Sequence, residues 1–272
     1  MNYLQFDFDI QDSGQIERLI ALLAEIGFEG FQEEDASLIA FIPEHNFIAG
    51  EFSRVIDLFA HISYIKTIVE NINWNSRWEQ GFEPVVIDDF VAIRAEFHQP
   101  VTNVGQEIII TPKMSFGTGH HATTYLMVTQ MKDLDFRGKS VLDFGTGTGI
   151  LAILAGKLGA ETITAIDCDE WSIANAQENI EKNGCSGIIV EQLDKIPGTG
   201  RFDIILANIN LNVITANLSS IATCSVTGAM ILLSGFLKEN ELELIARLQE
   251  AGLKYLSTMQ RGDWVVVMAK KP

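Results

Sequence analysis

Glycines and carboxylates mark one turn of this chain as a candidate ligand site. The apolar run 140–144 carries Asp143 and leads into the turn Gly145-Thr-Gly147-Thr-Gly149. Glycine adopts positive φ at little cost, and its missing side chain lets a ligand lie against the backbone. A second carboxylate, Asp167, follows the apolar run 162–166. Because the carboxyl ends of neighbouring parallel strands meet at one edge, this arrangement fits a nucleotide-like ligand across two strand ends.

The spacing of this turn favours one class of ligand. Dinucleotide sites use G-x-G-x-x-G, whereas this chain has G-x-G-x-G followed by Ile150. Asp143 would repel a pyrophosphate but could orient water or an ammonium group. S-adenosylmethionine carries an amino-acid end, a sulfonium and an adenosine, and Asp167 could accept hydrogen bonds from its ribose. A tight turn with no ligand is the alternative.

A polar, glycine-rich loop lies ahead of this turn and suggests a cover for the ligand. It runs from Phe116 through Thr118 and two histidines to Thr124, directly before a predicted helix, Tyr125–Met131. Thr124 would present its hydroxyl at the helix start, and an ordinary N-cap loop is the alternative. Because the adjacent histidines have no third ligand at a convincing spacing, we predict no metal site.

Asn208 is the candidate catalytic residue. It follows the predicted strand Asp203–Ala207, and ligands of open α/β sheets bind at the carboxyl ends of strands. An asparagine oxygen and the next backbone carbonyl can accept N–H bonds from an amine nucleophile and direct its lone pair. The alternative is that Asn208 serves only as a helix N-cap.

Alternating strands and helices surround these residues and predict the fold that positions them. The predicted strands are Ser140–Phe144, Thr162–Ile166, Ile188–Glu191, Asp203–Ala207, Ala229–Gly235, Leu253–Met259 and Val265–Ala269. The predicted helices are Gly149–Leu158, Glu170–Lys182, Asn210–Ala222 and Glu239–Ala251. This order predicts a Rossmann-like, doubly wound α/β sheet of seven strands. The closing hairpin adds an antiparallel strand, which is typical of methyltransferases rather than dehydrogenases.

The first 73 residues predict a small ferredoxin-like α+β domain in the order β-α-β-β-α-β. Its strands are Tyr3–Ile10, Phe28–Gln32, Ser37–Ile42 and Ile62–Ile72, and its helices are Gln15–Ile26 and Glu51–His61. Residues 74–84 are the predicted connector, and residues 85–272 form the second domain. Since the small domain carries no catalytic constellation, we expect it to recognise the substrate.

Charge indicates the kind of partner. The 272 residues include 36 acidic and 19 basic side chains, a net charge of −17. Residues 1–80 hold 14 of the acids and four of the bases, a net charge of −10. Nucleic acid is held largely through Lys and Arg, so we expect no direct nucleic-acid binding. A basic protein is the favoured partner, and solubility alone is the alternative.

The remaining composition predicts a cytoplasmic globular chain. No apolar run reaches the roughly 18–20 residues of a membrane span. Residues 1–9 contain neither a basic nor a long apolar segment, so we expect no secretion signal. The three cysteines show no C-x-x-C spacing, as expected of reduced thiols. We expect a monomer.

Four motifs together resemble the bacterial ribosomal protein L-eleven methyltransferase family. They are the loop 116–124, the turn 143–151, Asp167-x-Asp169 and Ala207-Asn208-Ile209. The resemblance covers nearly the whole chain, and the loop is its specific part, because many methyltransferases share the glycine turn. It implies an S-adenosylmethionine-dependent enzyme that methylates amino groups, lysine side chains or the N-terminal amine, of large-subunit protein eleven. The N-terminal domain would hold that basic ribosomal protein.

The family motifs carry four cofactor residues onto this chain: Thr124, Gly145, Asp167 and Asn208. We add three neighbours from the same turn and loop: Gly147, Phe116 and Thr118. The chain departs from the family pattern at three places. It has Thr111-Pro112-Lys113 where the family usually has D-P-G before the loop, Glu170 where proline is common, and Asn210 where an aliphatic residue is usual.

The predicted reaction is displacement at the sulfonium methyl by a neutral amine. Lysine has a reference pKa of about 10.4, so a proton must leave before transfer. No general base stands out, and we expect catalysis by proximity and alignment at Asn208. Alternatives are a methyltransferase acting on another protein, RNA or a small molecule, and a non-catalytic binder of basic ribosomal proteins. The N-P-P-Y motif of glutamine and nucleobase amino methyltransferases is absent after Ala207.

Overall fold

The computed structural model describes residues 2–10, 12–34, 37–59, 62–69, 83–111, 119–198 and 201–272. The chain divides into two compact units, Met1–Phe82 and Glu83–Pro272. Most of the predicted connector 74–84 lies outside the described residues, so the boundaries at 73 and 85 stay predictions. Among the described helices, none is long and apolar enough to cross a membrane.

In its described residues, the first unit forms a four-stranded antiparallel sheet with two helices. Its elements are β1 (Tyr3–Asp9), α1 (Ser13–Glu25), β2 (Gly30–Glu34), β3 (Ser37–Pro43), α2 (Ala49–Ile56) and β4 (Ser63–Val69). The strand order is β2-β3-β1-β4. Leu4, Phe6 and Phe8 alternate along β1 and are buried, which places the core on one face of the sheet.

Helix α2 is shorter than the sequence predicted. The apolar spacing predicted a helix to residue 61, but α2 ends at Ile56. The backbone hydrogen bonds that follow join residues three apart: the Leu58 amide donates to the Val55 carbonyl, and the Phe59 amide donates to the Ile56 carbonyl. Phe59 is still buried. The apolar pattern therefore predicted the burial of this residue correctly but predicted too long a helix.

The second unit begins with a separate three-stranded sheet. Its strands are β5 (Val85–Ile87), β6 (Val91–Ala95) and β7 (Gln106–Ile110), with β5 and β6 antiparallel and β6 and β7 parallel. Residues 106–110 also lead towards the polar loop ahead of the glycine turn.

A seven-stranded sheet forms the body of the second unit. Its strands are β8 (Ser140–Phe144), β9 (Thr162–Asp167), β10 (Ile188–Gln192), β11 (Phe202–Asn208), β12 (Ser225–Leu237), β13 (Lys254–Arg261) and β14 (Trp264–Lys270). Its helices are α3 (Ala122–Met131), α4 (Ile150–Lys157), α5 (Glu170–Lys182), α6 (Leu211–Cys224) and α7 (Glu241–Glu250). The strand order is β10-β9-β8-β11-β12-β14-β13, and only β14 runs against its neighbours. The predicted mostly parallel α/β sheet with a late antiparallel strand is therefore confirmed.

The order of the strands positions the site. The chain moves outward from β8 through β9 to β10, then returns to the other side of β8 with β11. Helices α3, α4 and α5 contact one another in sequence, and α6 contacts α7, as expected for two separate helical layers. A crevice opens at the carboxyl ends of β8 and β11, where the order reverses, and ligands of such sheets bind there.

Candidate functional site

The glycine turn joins β8 to α4 and has a backbone that other residues would strain. Gly145, Gly147 and Gly149 have φ of 76°, 55° and 81°. A Cβ on Gly145 would overlap Cγ2 of Ile209, and one on Gly149 would lie 3.3 Å from Cα of Ala176. Conformation and close packing both require glycine here. The turn therefore presents bare backbone at the end of β8.

Asp143 is part of the turn and does not line the cavity beside it. Its Oδ2 accepts hydrogen bonds from the Thr146 hydroxyl at 2.7 Å and from the Ala152 amide at 3.2 Å. Burial raises the pKa of this carboxyl to about 7, against the lowering effect of those two hydrogen bonds. The sequence suggested that Asp143 orients water or an ammonium group. Instead, it ties the turn to the first residues of α4.

Asp167 ends β9 and binds the glycine turn directly. Its Oδ2 accepts the amide N–H of Gly147 at 2.9 Å, and its Oδ1 accepts that of Asp169 at 3.0 Å. A carboxylate has about four acceptor positions, so each oxygen retains capacity for a further donor. The side chain lines a cavity with the turn. Ligand hydroxyl groups can therefore be accepted here without breaking the two bonds already made.

Asn208 is the last residue of β11 and is 8% exposed. Its Nδ2 donates to Oγ1 of Thr124 at 3.4 Å, while its Oδ1 has no hydrogen-bond partner among the described residues. Helix α6 begins at Leu211, and Asn210 caps it by accepting from the Val213 amide at 3.0 Å. The alternative that Asn208 is the N-cap is therefore wrong. A buried acceptor without a partner is costly, which marks Oδ1 as a ligand contact.

Thr124 lies in the first turn of α3 rather than at its start. The helix begins at Ala122, three residues before the predicted start, because His121 caps it by accepting from the Thr123 amide. Thr124 is buried, and its hydroxyl orients Asn208. The loop residues Phe116 and Thr118 lie outside the described residues, so their roles stay predictions.

A cavity of about 380 Å³ brings four of the predicted residues together. These are Gly145, Gly147, Asp167 and Asn208. Thr124 reaches the same place through its contact with Asn208. A larger cavity of about 490 Å³ lies along β10 around Cys185 and contains none of the predicted residues. The smaller cavity, which lies where the strand order reverses, is therefore the candidate functional site.

Three residues that line this cavity were missed by the sequence analysis. Gly235 in β12 has φ of 99°, and a Cβ there would lie 2.6 Å from the carbonyl carbon of Ile209. Trp264 contacts the ring of His121 edge-on, with ring centroids 4.5 Å apart. A glycine inside a predicted strand does signal close backbone approach, so Gly235 was open to prediction. Trp264 and Ser172 carried no comparable signal.

The chemistry of the lining fits S-adenosylmethionine. Among the described lining residues there is no lysine or arginine for a phosphate, and Asp167 is the single carboxylate. Bare glycine backbone, a carboxylate and the unpartnered Asn208 oxygen instead suit a cationic ligand with hydroxyl and amine donors. His120 pairs with the Glu83 carbonyl and His121 with Thr123. In the described part of the chain, no three side chains form a metal-binding group.

Comparison with known proteins agrees with this chemistry. A family model described as "Ribosomal protein L11 methyltransferase (PrmA)" matches residues 10–272. A ribosomal protein L11 methyltransferase of Bacteroides fragilis is 37% identical over 276 residues, which cover 98% of this chain and 99% of the relative. Its counterpart in Porphyromonas gingivalis is 39% identical over 281 residues, covering 98% and 97%. The crystal structure of ribosomal protein L11 methylase from Lactobacillus delbrueckii subsp. bulgaricus superposes with a TM-score of 0.65. It is 27% identical, over 70% of this chain and 99% of that one.

Proposed function

The chain belongs to the ribosomal protein L11 methyltransferase family, and from that premise we propose that it methylates amino groups of ribosomal protein L11. The enzyme is an S-adenosylmethionine-dependent methyltransferase. The observation that carries the amine assignment is the buried Oδ1 of Asn208, which has no partner among the described residues. This acceptor lies in one cavity with the glycine turn and Asp167. An amine is a nucleophile that also has N–H groups for such an acceptor.

Five described residues would hold the cofactor: Thr124, Gly145, Gly147, Asp167 and Asn208. When bound, S-adenosylmethionine supplies a methyl group on a sulfonium that an amine can attack. The glycine turn offers backbone contact, and Asp167 retains acceptor positions for ribose hydroxyls. Thr124 fixes the amide plane of Asn208. Phe116 and Thr118 complete the proposed set on sequence grounds.

Asn208 would act by aligning the amine. Its Oδ1 accepts one N–H of the neutral amine and thereby directs the nitrogen lone pair into the cavity. Among the described lining residues, the single carboxylate is Asp167, whose two oxygens already bind the Gly147 and Asp169 amides. No described carboxylate at the Asn208 end would therefore hold the amine in its charged form. Holding the amine and the methyl donor together in this way can contribute up to roughly 7–11 kcal/mol, of which Asn208 would supply a part.

The first unit would be a ferredoxin-like domain that recognises L11. Its element order and antiparallel strand order β2-β3-β1-β4 support the fold assignment. Because β1 buries alternate residues, Asp7 lies on the face away from the helices, opposite Ile39 on β3 and Ile65 on β4. Ile65 is 68% exposed. This face combines apolar side chains with carboxylates, and residues 1–80 have a net charge of −10. Such a surface suits a basic protein.

The wider setting follows from the same premise. Because its proposed substrate is a ribosomal protein, the enzyme would act in the cytoplasm, and we propose that it acts there as a monomer. The acidic charge supports a protein substrate over direct nucleic-acid binding, because nucleic acid requires basic contacts. Methylation of RNA and non-catalytic binding are the two alternatives that the following experiment tests directly.

The test uses labelled cofactor with separate substrates. Wild-type protein is incubated with labelled S-adenosylmethionine and either purified L11 or large-subunit RNA, and calorimetry measures cofactor binding. We expect cofactor binding and label in L11 alone. Label in RNA and none in L11 would overturn the substrate assignment. Absence of cofactor binding would overturn the enzyme assignment and leave a binding protein.

A further inference from the structure

Helix α5 carries Asn175 and Asn179, and Asn183 is the residue that caps its C-terminal end; their spacing of four residues places all three on one face. Asn175 and Asn179 are fully buried, although asparagine is mostly an exposed residue. None of the three lines the cavity of the candidate site. Their burial therefore requires an explanation apart from direct ligand contact.

The amide of Asn179 connects α5 to the glycine turn. Its Nδ2 donates to the carbonyl oxygen of Thr148, within the turn, at 2.8 Å. Its Oδ1 accepts the amide N–H of Thr111, which directly follows β7, at 2.7 Å. A buried side chain with both ends paired is held in one orientation. Asn179 thus fixes a backbone group of the turn whose three glycines all have positive φ.

Asn175 holds the orientation of Asn179 and has an unpaired group of its own. Its Oδ1 accepts from Nδ2 of Asn179 at 3.3 Å. Its own Nδ2 is buried and has no partner in the part of the chain that the structure describes. A buried donor left unpaired destabilises the fold, so an apolar residue of the same shape would serve stability better. Folding stability alone therefore does not account for an asparagine at this position.

We propose that Asn179, oriented by Asn175, is a positioning residue for the cofactor: it fixes the Thr148 carbonyl and so sets the glycine turn before the ligand binds. The proposal rests on the proposed function, in which the turn contacts S-adenosylmethionine. A turn that is already ordered strengthens binding, because no conformational entropy of the turn is lost when the ligand binds. Neither asparagine touches the cofactor in this account.

Asn183 offers a matched control on the same helix. Its Oδ1 accepts the Ile109 amide at 3.0 Å and its Nδ2 donates to the Ile109 carbonyl at 2.6 Å. It therefore joins α5 to β7 as Asn179 joins α5 to Thr111, but it makes no contact with the glycine turn. A variant at Asn183, which is half-buried, removes side-chain hydrogen bonds between the end of α5 and β7 without touching the turn.

The experiment compares three leucine variants of the full-length chain: Asn175→Leu, Asn179→Leu and Asn183→Leu. Calorimetry gives the Kd for S-adenosylmethionine, and urea denaturation gives the free energy of unfolding. We expect Asn175→Leu and Asn179→Leu to weaken cofactor binding roughly five- to tenfold, the worth of about one hydrogen bond. Asn183→Leu should leave the Kd within about twofold. Asn175→Leu should be at least as stable as wild type, a result that a purely structural role for Asn175 does not give.

Two outcomes would overturn the proposal. One is an unchanged Kd in Asn175→Leu and in folded Asn179→Leu. The other is an equal loss of affinity in Asn183→Leu, which would show that any damage to α5 has this effect. If Asn179→Leu fails to fold, Asn175→Leu against Asn183→Leu still decides. Wild-type binding and L11 methylation are measured in parallel, so failure of the proposed function is seen separately.

Discussion

Replacement of Gly235 by alanine is expected to damage the site through the backbone of Ile209. Gly235 has φ of 99°, and an added Cβ would overlap the Ile209 carbonyl oxygen and lie 2.6 Å from its carbonyl carbon. These are backbone atoms, which cannot rotate away as a flexible side chain could. The peptide that joins Ile209 to Asn210 must therefore shift, and both residues line the cavity in which the amine is proposed to bind.

The size of the effect follows from two contributions. Alanine in left-handed backbone costs about 1–2 kcal/mol, and overpacking a filled site costs about 1–3 kcal/mol more. Gly235→Ala is thus expected to lose about 2–5 kcal/mol of unfolding free energy. Gly228 lies in the same strand with φ of 87° and has no atom within 4 Å of an added Cβ. Gly228→Ala therefore carries the first contribution alone.

Urea denaturation of both variants and their rates of L11 methylation test this reasoning. The difference in unfolding free energy between them isolates the Ile209 contact, about 1–3 kcal/mol. A misplacement of about 1 Å can lower a rate about 100-fold, so we expect a loss of that order in kcat for Gly235→Ala and none for Gly228→Ala. Equal stability of the two variants, with equal rates, would refute the claim that Gly235 makes room for Ile209.

Three further predictions concern the site and the first unit. Asn208→Ala is expected to lower kcat for L11 about 100-fold at saturating cofactor, because the amine loses its acceptor; full turnover would exclude this role. The pKa of Asp143 is raised from 3.8 to about 7, so its protonation stabilises the fold fully below about pH 4, and this stabilisation is lost as the pH rises through 7. Urea denaturation at about pH 5 and pH 8 should therefore show a decline of about 3 kcal/mol in wild type. Asp143→Asn should remove most of that decline, and the same decline in the variant would assign it to other groups. Asp7→Lys should raise KM for L11 several-fold with an unchanged cofactor Kd, measured by initial rates and calorimetry; an unchanged KM would argue against this face as the docking surface.

The residues at the strand ends were predictable from sequence because each is marked by a short, continuous stretch of the chain. A buried strand, a glycine turn and a carboxylate after the next strand can be recognised without knowing what packs above them. Parallel pairing of β8 with β9 and with β11 then brings Asp167 and Asn208 to the same edge. Four of the predicted cofactor residues, Gly145, Gly147, Asp167 and Asn208, meet in one cavity for this reason.

The sequence left helix caps undecided where two residues of similar chemistry compete for one position. Asn208 and Asn210 are both able to cap a helix, and only the structure assigns the cap to Asn210. His121 likewise caps α3, whereas the sequence had placed the Thr124 hydroxyl at the start of that helix. Spacing along the chain does not decide between such neighbours, because the choice depends on where the preceding strand or loop ends.

Other features depend on contacts between distant parts of the chain. Asp143 was expected to face a ligand, but it shares a buried face of β8 that α4 covers, and its carboxylate binds the Ala152 amide. Trp264 contacts His121 because β14 pairs beside β12. No local sequence pattern encodes such contacts, since they follow from the order of strands in the sheet.

The most direct test of the central claim is the intact mass of L11 after incubation with the enzyme and S-adenosylmethionine. One L11 sample has free amino groups, and a second has its amines acetylated beforehand. We predict that the free sample gains mass in steps of one methyl group and that the acetylated sample gains none. Equal gain in both samples, or no gain in the free one, would contradict amine methylation of L11 by this protein.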